Sequence, residues 1–141
     1  MERYLYFRAD GTVTNDDDET AGSKVYPVSA FRGMVAGTAT ALGAVTDDAD
    51  AFSMFFTPMG TVGNGGTGDS DDGTGDHVDV IVVAITTDNN QKAVMDAVMD
   101  KIVTHPHAAP VITVYDKNKG GTAVKLHDDI EGITVLHNTN A

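Results

Sequence analysis

Hydrophobic residues in this chain recur mostly at the spacings that are typical of β-strands. The first such segment, residues 3–8, is rich in aromatic residues and ends at the turn signal Asp10-Gly11. Further strands are predicted at 24–34, 37–45, 52–56, 78–85, 111–115, 122–126 and 133–136. Pro27 lies inside the second of them and predicts an edge strand, a bulge or a bend at that point. Segment 78–85 is almost continuously apolar, which predicts a strand buried on both faces.

One segment has the period of an amphipathic helix. Its apolar stripe is formed by Val94, Met95, Val98, Met99, Ile102 and Val103. Asp88 is a suitable N-cap, and Gln91 three residues later completes a capping box. Pro106 ends the segment, because proline cannot continue a helix. We therefore expect a helix at about 88–104.

These elements predict an α+β fold, a mainly antiparallel β-sheet or sandwich with one main helix, at about 88–104, packed on it. The helix lies between the strands 78–85 and 111–115, which leaves open a right-handed βαβ unit or an antiparallel return. The chain has 141 residues and a mass of 14.8 kDa, the ordinary size of one domain. We expect a single domain, 1–141, with a loop at about 60–76 whose seven glycines and four aspartates cannot form a packed core.

The charge of the chain excludes some partners. Its 21 acidic and 9 basic residues give a formal net charge of −12, and segment 33–91 has nine acids and no base. Such a surface repels nucleic acid, which is bound by neutralising phosphates with Lys and Arg. It keeps the protein in solution and is compatible with salty surroundings. With no apolar run near the ~20 residues of a membrane span, no membrane partner is expected either.

No enzyme active site is predicted. Residues 63–68 have the glycine spacing of a dinucleotide site, but aspartates follow where a helix N-terminus should face the pyrophosphate. Gly68-Asp69-Ser70 resembles the nucleophile motif of one esterase class, whose base is a late histidine three residues after an aspartate. No histidine of this chain has an aspartate at that position. His105-Pro106-His107 offers only two metal ligands, and the chain has no cysteine to complete a zinc site.

Two acidic clusters leave calcium open as a cofactor. Residues 16–19 and the set Asp69, Asp71, Asp72 and Asp76 offer the carboxylate oxygens that calcium prefers. The second cluster departs from the EF-hand order, because Gly73 comes one place too early after Asp69. We therefore expect solvated loops and no cofactor, with Ca²⁺ as the alternative.

Several stretches taken in order carry a resemblance to a known family. They are Tyr4-Leu5-Tyr6-Phe7-Arg8, Asn15-Asp16-Asp17-Asp18, Pro27-Val28-Ser29 leading into Phe31-Arg32-Gly33-Met34, Phe55-Phe56, and a helix running into His105-Pro106-His107. This order resembles small virion-associated proteins of marine tailed phages, although the loop at 60–76 departs from their pattern. The resemblance implies a non-enzymatic virion structural protein, a capsid decoration or cement protein made in the host cytoplasm. Its partners would be copies of itself and a major capsid protein.

Protein contacts are therefore the function that the sequence favours. The candidate interface residues are Tyr4, Tyr6, Phe7, Phe31 and Arg32. We expect homo-oligomers or shell-bound copies whose contacts bury more than ~1,000 Å² in total. Two other classes stay open: a calcium-dependent binding module, and an acidic DNA-mimic inhibitor that presents carboxylates to a basic protein.

Overall fold

The computed structural model of the chain describes residues 3–9, 23–39, 44–57, 79–104, 110–117 and 122–137. The strands are β1 (Tyr4–Arg8), β2 (Ser23–Pro27), β3 (Phe31–Ala36), β4 (Thr38–Ala39), β5 (Val45–Thr46), β6 (Ala51–Phe56), β7 (Asp79–Ile85), β8 (Val111–Asp116), β9 (Val124–Lys125) and β10 (Ile130–His137). A 3₁₀ turn covers Val28–Ala30, and the helix α1 covers Gln91–Thr104. The predicted loop at 60–76 and the motif at 105–107 lie outside the described residues.

Two four-stranded sheets enclose the main core. The first sheet has the order β9-β8-β1-β2, and the second has the order β10-β7-β6-β3. Among the described strands, the pair β1–β8 is parallel and every other pair is antiparallel. The predicted α+β fold, mainly antiparallel with one main helix, is confirmed.

The proline inside the second predicted strand marks the place where the chain changes sheet. β2 ends at Pro27, the 3₁₀ turn follows, and Phe31 begins β3 in the other sheet. The backbone N–H of Phe31 donates to the carbonyl of Val28, which closes the turn. Of the three possibilities at Pro27, the structure has two: β2 is an edge strand of the first sheet, and the chain bends at its end.

Aromatic side chains join the inner faces of the two sheets. The ring of Tyr26, from the first sheet, stacks on the ring of Phe56, from the second, with centroids 4.2 Å apart and planes 11° apart. Phe7 meets the same Phe56 ring edge-on at 5.7 Å. All three side chains are fully buried. Such aromatic contacts stabilise the sandwich beyond the burial of their apolar area.

The helix begins three residues later than the sequence predicts. Asn89 has a left-handed φ of 65°, so the chain is not yet helical after Asp88. Gln91 is therefore the first helical residue and forms no capping box, and its side-chain amide donates to the carbonyl of Asp48 at 2.7 Å. Asn90 donates to Asp129 at 3.0 Å, which ties the start of α1 to the turn before β10.

The buried side of α1 is narrower than the predicted stripe. Val94, Val98 and Ile102 are buried in the main core, whereas Met99 and Val103 are 41% and 73% exposed. At the other end of α1, the guanidinium of Arg3 donates to the carbonyl of Ile102. This bond satisfies one of the carbonyls that a helix C-terminus leaves without a partner.

The connection through α1 is neither of the two that the sequence left open. The strand before the helix, β7, belongs to the second sheet, and the strand after it, β8, belongs to the first. The helix therefore carries the chain from one sheet to the other and packs against strands of both.

A small second core lies on the far face of the second sheet. Val80 and Val82 of β7 meet Ala39 and Ala51 there, beside the hairpin of β4 and β5. β7 is thus covered on both faces, as its apolar run predicts. Among the described residues, no helix is long and apolar enough to cross a membrane.

Candidate protein-binding surface

The side of the first sheet that points away from the core forms one continuous surface, the outer face. Along β1, Leu5 and Phe7 are buried, so Tyr4, Tyr6 and Arg8 point the other way. The strand register extends this side across the sheet. The outer face consists of Tyr4, Tyr6, Arg8, Ser23, Val25, Pro27, Val111, Thr113, Asp116 and Val124.

The outer face concentrates exposed apolar side chains. Tyr4 is 38% exposed, Val25 40%, Val111 49% and Val124 48%. In the register, Tyr4 lies opposite Val111, and Tyr6 lies opposite Val25. Contiguous exposed apolar residues on one flat sheet face are typical of a surface that binds other protein.

The charged residues of the outer face neutralise each other. Arg8 and Asp116 are register partners, and Nη1 of Arg8 lies 3.8 Å from Oδ1 of Asp116. They are the charged members of an otherwise uncharged set, so the outer face has no formal net charge. A protein of net charge −12 thus presents one surface where a partner meets no excess of acidic groups.

The predicted interface residues do not all share this surface. Tyr4 and Tyr6 lie on the outer face. Phe7 lies in the core, because strand alternation turns it to the side opposite its neighbours, and it is fully buried. Phe31 is half-buried against Phe56 at the inner side of the second sheet, with ring centroids 5.5 Å apart. Arg32 is exposed, at the irregular start of β3 in that sheet.

Sequence reasoning missed the three exposed valines of the outer face. Val25 and Val111 stand in strands whose inner side is also apolar, so no hydrophobic–polar alternation separates their two sides. Val124 belongs to a strand of two residues, which is too short to show an alternation. The alternation within Lys24-Val25-Tyr26 places Val25 and Tyr26 on opposite sides of the sheet, but it does not tell which of the two sides is buried. Only the position of the second sheet decides that.

A second feature is a cleft of about 410 Å³ with acidic residues in its lining. It is lined by Ala36, Asp47, Asp48, Ala49, Asn89 and Gln91. A hydrogen bond from Thr38, 2.7 Å away, is the main cause that lowers the pKa of Asp48. The pKa of Asp50 is raised, because its carboxyl group shares a hydrogen bond and a like charge with Asp48. Both carboxyl groups are fully exposed, and the residues that line the cleft include no Ser, Thr, Lys or His.

The buried polar group between the sheets is a structural contact. The hydroxyl of Tyr26 donates to Oδ2 of Asp79 at 2.7 Å, and Nζ of Lys24 lies 3.9 Å from the same oxygen. Burial raises the pKa of Tyr26, and the hydrogen bond to Asp79 and the negative charge of that carboxylate raise it further. Tyr26 therefore stays a neutral donor and links β2 to β7 across the core.

The described residues bring together no set of three His, Asp or Glu side chains that could hold a metal ion. The calcium candidates Asp69, Asp71, Asp72 and Asp76 lie outside the described residues, so the calcium alternative stays a prediction.

Comparison with known proteins adds no relative. No family model matches this chain, and neither does any curated protein or solved structure.

Proposed function

We propose that this protein is a non-enzymatic structural protein of a virus particle, a decoration or cement protein that binds a major capsid protein and copies of itself. The outer face of the first sheet is its contact surface. The observation that carries the proposal is the concentration of Tyr4, Val25, Val111 and Val124 on one sheet face that has no net charge. The placement on a virus particle rests on the sequence resemblance.

The physical case for this surface is the cost of leaving it in water. Burying apolar area gains roughly 25 cal/mol per Å², so a flat face with several half-exposed valines and tyrosines favours a protein partner. Tyrosine adds a polar hydroxyl to a large apolar ring, a combination that is enriched at interfaces. The outer face lacks the convergent polar groups of a small-molecule site.

The first experiment asks whether the chain is part of a particle. Mass spectrometry of purified virions from the source should detect it at a copy number in fixed proportion to the major capsid protein. Its absence from purified particles would refute the virion part of the proposal.

The second experiment tests the surface with two matched variants. Purified protein is mixed with particles that lack it, and bound copies are counted by cryo-electron microscopy. Val25→Asp places a charge on the outer face, and Val35→Asp places the same charge at a similarly exposed position, 46% against 40%, on the second sheet. We expect Val25→Asp to lose occupancy and Val35→Asp to keep it. Equal occupancy would remove the outer face from the function, and occupancy that needs calcium would favour the calcium-dependent module.

A further inference from the structure

We infer that the free protein forms a two-fold dimer in which the outer face packs on the outer face of a second copy. This inference rests on the contact surface of the proposed function and adds the symmetry with which a second copy binds there. It follows from three properties of the outer face: its register, its charge and its area.

The register makes the outer face complementary to itself. A two-fold axis parallel to the strands and midway between β1 and β8 lays the order β9-β8-β1-β2 over β2-β1-β8-β9. Each residue of β1 then faces its own register partner on the second copy, within the angle of about 30° at which aligned sheets pack. Tyr4 faces the second copy's Val111, and Arg8 faces the second copy's Asp116. Each Arg8 thus meets a carboxylate, Tyr6 faces the second copy's Thr113, and Val124 faces the second copy's Ser23.

The charge of the chain favours this face for self-association. Two copies of net charge −12 repel each other, and packing at the acidic cleft would bring like charges together. The outer face carries Arg8 and Asp116 with no net charge, so packing it on itself adds no local repulsion.

The area makes the dimer weak. β1, β2 and β8 are five or six residues long, and β9 is two residues long. At about 4.8 Å between strands and about 3.3 Å per residue, they give a flat footprint of roughly 300 Å² per copy. Stable interfaces bury about 800 Å² of accessible surface per partner. Protruding side chains add accessible surface to the flat footprint, but the outer face still lies at the low end of the range of interface areas. The dimer therefore dissociates on dilution and frees the outer face for a shell. Self-association and shell binding compete for one surface.

Sedimentation velocity of the purified full chain tests the dimer. From micromolar to millimolar protein, the wild type should shift from monomer to dimer. The dimer fraction should rise between about 0.1 and 1 M NaCl, where the Debye length falls from about 10 to 3 Å and the repulsion between copies is screened. A wild type that stays monomeric at millimolar concentration and high salt overturns the inference. A dimer that weakens with salt also overturns it, because the repulsion between two copies of net charge −12 should outweigh the two Arg8–Asp116 contacts between copies.

Three variants test the surface and the symmetry. Val111→Asp places a charge opposite the second copy's Tyr4 and should weaken dimerisation by about tenfold or more, since each dimer would bury two unpaired charges. The control Val35→Asp changes a similarly exposed valine of the second sheet and should match the wild type. The chain has no native cysteine, so a short bismaleimide should cross-link copies of Thr113→Cys near the axis and not copies of Val35→Cys. Equal effects of Val111→Asp and Val35→Asp, or cross-linking at Val35→Cys alone, would refute the two-fold packing.

The dimer and the proposed function fail in different ways. Loss of dimer with unchanged particle occupancy in Val111→Asp supports the dimer and refutes the shell contact. Loss of occupancy from a wild type that never dimerises supports the shell contact and refutes the dimer.

Discussion

The bond between Tyr26 and Asp79 gives the sharpest test of how the two sheets are held together. Tyr26→Phe removes one hydroxyl and keeps the ring that stacks on Phe56. The hydroxyl lies 2.7 Å from Oδ2 of Asp79, and Tyr26 is fully buried. Among the described residues, the carboxylate of the variant keeps the more distant Lys24, at 3.9 Å.

The expected loss follows from the type of bond. A hydrogen bond to a charged group contributes roughly 1.5–3 kcal/mol, and the partner left behind stays buried without its donor. We expect Tyr26→Phe to lower the free energy of unfolding by about 2 kcal/mol. The control Tyr4→Phe removes a hydroxyl from the exposed outer face and should stay within about 0.5 kcal/mol of the wild type.

The same contact predicts a dependence on alkaline pH. The pKa of Tyr26 is raised, chiefly by burial and then by Asp79, whereas an unfolded tyrosine ionises near pH ~10. The contribution of the neutral phenol is fully present below pH ~10 and is lost as the pH rises further, because the unfolded chain then releases a proton that the folded chain retains. Wild-type stability should therefore fall more steeply than that of Tyr26→Phe above that pH.

Urea denaturation followed by circular dichroism, from neutral pH to above the pKa of free tyrosine, measures both effects. Two results would refute the reasoning. One is a Tyr26→Phe variant as stable as Tyr4→Phe at neutral pH. The other is an alkaline slope that does not change when the Tyr26 hydroxyl is removed.

Three further predictions concern the core, a turn and the acid limit. Val98→Asp buries an unpaired carboxylate where the wild-type side chain is fully buried and should cost at least about 3 kcal/mol in urea denaturation; a cooperative transition at the wild-type midpoint would contradict the placement of α1. Gly37→Ala should lower the free energy of unfolding by more than about 1 kcal/mol, because Gly37 has a φ of 116° and an added Cβ would collide with a β5 carbonyl. In the control Gly132→Ala the added Cβ meets open space, and this variant should unfold like the wild type. The pKa of Asp129 is lowered, first by its hydrogen bond from Asn90. The contribution of its carboxylate to stability is therefore present above pH ~4 and is lost as the pH falls through the lowered pKa of the folded state. The difference in Tm between wild type and Asp129→Asn should accordingly shrink from pH ~6 to pH ~3, and a constant difference would contradict this role.

The candidate surface could be predicted from the sequence only in part. Aromatic and apolar residues in strand 3–8 pointed to β1, and Tyr4 and Tyr6 lie on the outer face. Phe7 was grouped with them although alternation alone separates it from its neighbours. Phe31 and Arg32 were grouped with them too, because nothing local shows that the chain crosses to the other sheet after Pro27.

Local properties of the chain determined its element types. The period of 3.6 at Val94, Val98 and Ile102 predicts the helix, because one side of a helix can be buried only if apolar residues recur at that spacing. The apolar run of β7 predicts burial on both faces for the same reason. The excess of acids over bases likewise fixes the sign of the net charge in any fold.

Only the tertiary structure decided how these elements meet. The start of α1 depends on the left-handed Asn89 and on Gln91 binding the carbonyl of Asp48, 43 residues earlier in the chain. The sides of β1, β2 and β8 that became the outer face were decided by the position of the second sheet, since both sides of these strands carry apolar residues. Strand pairing and sheet packing join residues far apart in the chain, and a local hydrophobic pattern contains no record of which distant segment will cover it.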